Sequence, residues 1–198
     1  MTMLAPAQTA STSTSTVVFT DATLAKAAEL AADSYLPIWT GPSGEESTGE
    51  SVARHLEATS VLLEKDGWIR VYDYSQDWST GGVDVPADDD SMTVKEMLRV
   101  LLRFIRDESE SGSGARPQRT LSAALRHVGE DGSHGDTTTA VVAGWVLDRV
   151  IQAHTGSEAA RAAAWSERQH RTHADITALL AAGAAFARTY GPAAGQTV

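Results

Sequence analysis

The sequence predicts an all-α fold, an irregular bundle of about six or seven helices with at most one short β-hairpin. Apolar residues recur at i, i+3, i+4 spacing through successive stretches. Those stretches are opened by Ser, Thr or Asp and closed by Gly or Pro, the punctuation of helix ends. Only the run 68–74 has strand character, and a single strand is not stable by itself.

Residues 1–18 are poor in charge and carry a Ser/Thr run over 11–16, a composition that buries no core and reads as a disordered tail. The first helix runs from Asp21 to about Asp33, capped by Thr20 or Asp21, with Leu24, Ala27, Ala28 and Ala31 on one face. Pro37 ends that pattern and 40–44 is a loop. A second helix spans Glu50 to Lys65 with the stripe Val52, Leu56, Thr59, Leu62 and Leu63, and Gly67 takes the left-handed position past its end. The run 68–74 then either pairs with 82–85 as a hairpin or crosses as an extended segment; the second reading is preferred. Residues 75–91 form a Gly/Asp-rich loop. Thr93 to Glu96 is a capping box for a helix carrying Val94, Met97, Leu98, Leu101, Leu102 and Ile105 on its inner face.

A Ser/Gly/Glu linker covers 108–118. A short helix from Thr120 to Val128 is followed by a turn cluster over 129–135. Asp136 caps the central helix, which reaches His154; Val142, Val146 and Val150 make its core face, Val141 and Trp145 widen it, and Leu147 and Ile151 extend it. Gly156 stops it, and Ser157 caps an Ala-rich helix ending near Trp165. The last helix runs from His173 to Tyr190, with Thr172 and Asp175 as a capping box and Ile176, Leu179, Leu180, Phe186, Ala187 and Tyr190 facing inward. Gly183 shares that face at a cost of about 1 kcal/mol against Ala, which suits a close approach by another element. Gly191-Pro192 is a stop signal. The folded domain is therefore expected over 19–191, with 192–198 as a tail.

The net charge of −10 argues against electrostatic wrapping of nucleic acid. Zero cysteines exclude disulfides, a thiol nucleophile and thiolate metal sites. No stretch approaches the roughly 20 apolar residues of a membrane span. No basic residue precedes Lys26, so the N-terminus does not read as a signal peptide, and a cytoplasmic location is expected. Thirteen Arg against three Lys, with abundant Ala, point to a GC-rich source.

The richest cluster of chemistry lies at 165–175: Trp165, Glu167, Arg168, His170, Arg171, Thr172, His173 and Asp175. An Arg/His patch at a helix N-terminus suits an anion. The same residues also have ordinary structural work: Trp165 as a packed lid, Glu167 paired with Arg171, Thr172 as a cap. The spacing of His170 and His173 permits a metal, but a closed zinc site wants four ligands, and no metal or cofactor is assigned. His55, at the edge of the second helix's stripe, reads as a solvated or hydrogen-bonded neighbour of the core, and His127 and His154 as cations suited to helix C-termini. Asp84 and Asp88 to Asp90 lack the regular spacing of a calcium loop. No P-loop, Gly-x-Ser-x-Gly or His-Glu-x-x-His motif occurs. Trp68, Tyr72, Tyr74 and Trp78 form an aromatic group in and beyond an extended run, the first choice for a binding surface.

Two blocks carry a resemblance. One is the helix from His55 that ends in Gly67-Trp68; the other is Trp165-Ser166-Glu167 with Arg171-Thr172 ahead of Ile176, Leu179 and Leu180. In this order the chain resembles, over about residues 50 to 190, a family of small helical proteins of actinobacteria and their phages whose function is unknown. The resemblance implies Asn where Ser166 stands and a mid-chain Cys that this chain lacks. It implies a relative and no activity. The reading of the sequence is therefore a non-enzymatic, cytoplasmic accessory protein that binds a protein partner or itself, through Trp68, Tyr72, Tyr74, Trp78, Trp165, Arg168 and Arg171. The alternatives are a metal-dependent hydrolase built on His170, His173 and Asp175, and a helical DNA-associated regulator.

Overall fold

A computed structural model describes residues 16–71 and 118–193. Among them are six helices and no strand: α1 Asp21–Ala32, α2 Gly49–Asp66, α3 Leu121–Asp131, α4 Thr137–Thr155, α5 Ala162–Ser166 and α6 His173–Tyr190. The fold is the helical one the sequence predicts. The helix expected behind Thr93, the linker over 108–118 and the possible pairing with 82–85 lie outside the described residues.

Side-chain caps set most of the helix starts. Thr20, Thr48, Thr120, Asp136 and Thr172 each accept a backbone N–H of the first turn, and Thr20 and Thr172 complete capping boxes with Thr23 and Asp175. Helix α4 is central, packing against all five other described helices. Val142, Val146, Leu147, Val150 and Ile151 are fully buried on it. Val141 and Trp145, expected to widen its inner face, sit at the rim with 37% of their surface exposed, because the Val142–Val146–Val150 row already fills the contact.

Helices α2 and α6 form the most extensive pair and run antiparallel: the start of α2 lies at the end of α6, and the end of α2 at its start. At mid-length Gly183 allows the approach its position suggests, since a Cβ there would run into Leu147 and crowd Leu56. At the far end the backbones touch. A Cβ on Gly49 would collide with the Ala187 carbonyl and with Gly191, and the Gly49 N–H donates to the Pro192 carbonyl at 2.9 Å. Gly191 itself is extended (φ −80°), so it is needed for proximity rather than for a left-handed turn.

Three helix boundaries differ from expectation. Helix α3 continues through Gly129 to Asp131, and Gly132 (φ 74°) is the left-handed cap; Gly129 lies against Asp136 and Ala140, where a Cβ would not fit. Gly67 has positive φ but an extended ψ of 147°, because the chain beyond it pairs with Arg119 rather than turning back. Ser157 does not cap a helix. Its carbonyl takes the Ala160 N–H in a turn, and the five-residue α5 begins after Arg161 with Asp148 of α4 accepting the Ala162 N–H at 2.7 Å. Among the described residues no helix is long and apolar enough to cross a membrane.

Candidate functional site

The end of α2 and the start of α6 meet at a cluster that joins both candidate regions of the sequence. Beyond Gly67, Trp68 bridges Arg119 in parallel fashion: the Ile69 N–H donates to the Arg119 carbonyl and the Arg119 N–H to the Gly67 carbonyl, each at 3.0 Å. The Arg119 guanidinium also holds the buried Asp66 carboxylate at 2.7 Å. Residues 68–69 thus run beside Arg119 and the chain bends at 70–71, while the alternative pairing with 82–85 lies outside the described residues. The bend carries Arg70 to the loop before α6, where Nε and Nη2 donate to the Arg171 carbonyl at 3.2 and 3.1 Å. The Arg70 guanidinium lies 5.8 Å from the Trp68 ring.

On the other side, Trp165 is 1% exposed, and the Arg171 guanidinium stacks over its ring at 3.9 Å. Glu167 makes no ion pair with Arg171 among the described residues; the expected pairing gives way to this stack, which covers the indole face. Phe19 completes the wall, 6.2 Å from Trp165 and 4.8 Å from His154 between ring centres. The chain is held here from Val17 onward, whose N–H donates to Asp175 Oδ1 at 2.8 Å.

The electrostatics follow from these contacts. Burial pushes the Asp175 carboxyl up, but the N–H groups of Val17 and Thr172, the Thr172 hydroxyl and Arg171 outweigh it and leave its pKa below the usual carboxylate value. Burial pulls the Arg171 guanidinium down, opposed by Asp175. Burial, assisted by Arg171, lowers His154. Arg168, His170 and His173 are exposed. Three buried side-chain N–H groups have no partner among the described residues, Trp68 Nε1, Trp165 Nε1 and Arg171 Nε, and all three belong to this cluster.

Of the residues singled out as partner-binding, Trp68, Trp165, Arg168 and Arg171 come together here, while Tyr72, Tyr74 and Trp78 lie outside the described residues. Arg70 was not among them. Its signal was the two-residue alternation that sets it on the same side of an extended run as Trp68. Asp175 has its carboxylate taken up by the capping box and Val17, and no group of three or more His, Asp or Glu is placed to hold a metal among the described residues.

Two further places away from the junction bear on function. His55 is fully buried, with Nδ1 3.0 Å from the His134 carbonyl and Nε2 3.0 Å from the Leu125 carbonyl. It is more deeply placed than the edge position expected. Burial lowers its pKa despite both carbonyls, and a neutral ring donates to only one of them at a time. Tyr35 (98% exposed) and Leu36 stand out on the loop after α1, beside Trp145, a surface the sequence did not announce.

A model for a family of unknown function, DUF6197, matches residues 47–186. The chain belongs to this family. No curated protein and no solved structure matches it. The DUF6197 match takes in the junction residues Trp68, Arg70, Trp165, Arg168 and Arg171, while α1, Phe19 and the Tyr35 loop precede it.

Proposed function

We propose that the protein is a non-enzymatic accessory protein that binds another macromolecule through the junction of α2 and α6. The observation that supports this most is the bond from Arg70 to the Arg171 carbonyl, made across 101 positions of sequence. It merges the Trp68 segment and the Trp165–Asp175 segment into one surface, with Arg168, His170 and His173 exposed around it. Tyr72, Tyr74 and Trp78, which the sequence reading adds to this surface, lie outside the described residues. The Arg-rich, Lys-poor composition supports a GC-rich source, the family resemblance supports an actinobacterial or phage origin, and action in the cytoplasm is part of the same reading.

Pull-down combined with size-exclusion chromatography and light scattering tests the reading. The native chain is expected to retain a protein partner or to self-associate, and the Arg168→Glu variant to lose that association while remaining folded. A monomer that retains nothing and carries stoichiometric metal by elemental analysis would contradict it and favour the hydrolase alternative.

A further inference from the structure

We propose that the junction of α2 and α6 receives an acidic peptide segment, whose carboxylates are taken by Arg70, Arg168 and Arg171. This rests on the reading of the junction as a partner surface and adds the chemistry of the partner. The first support is charge. The molecule carries −10 overall, yet this end gathers three arginines together with His170 and His173. Among the described residues the acids at this end are Glu167, which is exposed, Asp175, which is buried and already accepts the N–H groups of Val17 and Thr172, and Asp66, which is held by Arg119. Among the described residues none of these arginines makes an ion pair, though the Asp175 charge acts on Arg171. Arg171 stacks on an indole, Arg70 donates to a carbonyl, and the Arg168 side chain makes no bond among the described residues.

The second support is independent of charge. Buried polar groups are nearly always hydrogen-bonded, and one without a partner marks a place where an acceptor is missing. All three such side-chain atoms among the described residues are N–H donors, and all three lie in this cluster. Trp68 and Arg171 are half-buried residues, so small side-chain shifts bring their N–H groups to an acceptor arriving from outside. Carboxylate oxygens accept several such bonds at once, and their bonds to guanidinium are bidentate and strong. A nucleic acid would also offer oxyanions. Its phosphates, however, extend well beyond the ~8–10 Å over which a local patch escapes the field of the remaining acidic surface. A short acidic peptide needs only the patch.

The test uses the full-length protein and three fluorescein-labelled probes in fluorescence anisotropy: a peptide of alternating Glu and Leu, the same peptide with Lys for Glu, and a twelve-residue oligothymidylate. Saturable binding of the Glu peptide alone, weakened by salt, is expected. Arg168→Glu and Arg70→Glu should each weaken it about tenfold or more. Arg168→Lys should retain most of it, and Arg126→Glu, on the exposed side of α3, should leave it unchanged. Amide spectra of the native protein supply a second readout: of the five tryptophans, the indole signals of Trp68 and Trp165 should move on binding while that of Trp39 stays.

The proposal is overturned if the Glu peptide does not saturate, if the Lys peptide or oligothymidylate binds as well or better, or if Arg126→Glu weakens binding as much as Arg168→Glu. If the acidic peptide fails while Arg168→Glu still abolishes association with a native partner, the partner surface stands and its acidic character falls. If both fail, the surface itself is wrong.

Discussion

The two ends of the α2–α6 pair are built in opposite ways. At the end holding Gly49 and Gly191 the backbones touch, a main-chain bond closes the seam, and the charges neutralise one another: Arg188 bonds Glu57 through both terminal nitrogens and Glu50 through Nε. At the end holding Trp68 and Trp165 the helices are spanned by side chains instead. Arginines lie on indoles, and among the described residues cations outnumber the available acids and three N–H groups lack partners. The same pair of helices thus has one end whose polar groups all serve the fold and one end with bonding capacity left over. Where a small helical protein has no catalytic motif, that asymmetry is the best physical guide to its working surface.

The comparison can be broken first at the Trp165 end. Trp165→Ala removes a fully buried indole and leaves Arg171 without its platform; it should cost about 3–5 kcal/mol, read by denaturant unfolding. At the glycine end, Gly49→Ala sets a methyl against backbone that cannot move aside, unlike the Leu147 side chain that faces Gly183. It should cost about 1–3 kcal/mol and lower the melting temperature by several degrees, whereas Gly183→Ala should cost less, because the helix gains propensity.

A smaller effect is expected from pH. His55 and His154 both have folded-state pKa values below the ordinary histidine value, so the unfolded chain binds protons that the folded one refuses. Their contribution is full above about pH 6.5 and is lost as pH falls through the folded values. The melting temperature should therefore drop between pH 7.5 and 5.5, and His55→Gln should flatten part of that slope. A slope of opposite sign would mean that His55 is a buried cation bound to both carbonyls. Least of all, Arg188→Gln at the exposed ion pairs should lower stability slightly, and by less at high salt.

Much of the fold was legible because capping chemistry is local. Thr172 and Asp175 define the start of α6, Asp136 the start of α4, and the Val142–Val146–Val150 row its buried face. What the sequence hid were features decided by distant partners. Gly129 reads as a stop signal, and only its approach to Asp136 and Ala140 makes it part of a helix. Ser157 has the right residue type for a cap, but Asp148 supplies the acceptor from another helix. At the candidate site both halves were visible as separate clusters. Their union was not, because Arg70 and Arg171 meet through tertiary structure and no local pattern encodes that bond.

The most direct test sets melting temperature against affinity for the acidic peptide in two variants, one from each end of the pair. The division of labour predicts that Arg168→Glu loses binding about tenfold with its melting temperature unchanged, and that Arg188→Gln keeps binding while melting slightly lower. It is contradicted if Arg168→Glu binds normally, or if Arg188→Gln loses binding to the same degree.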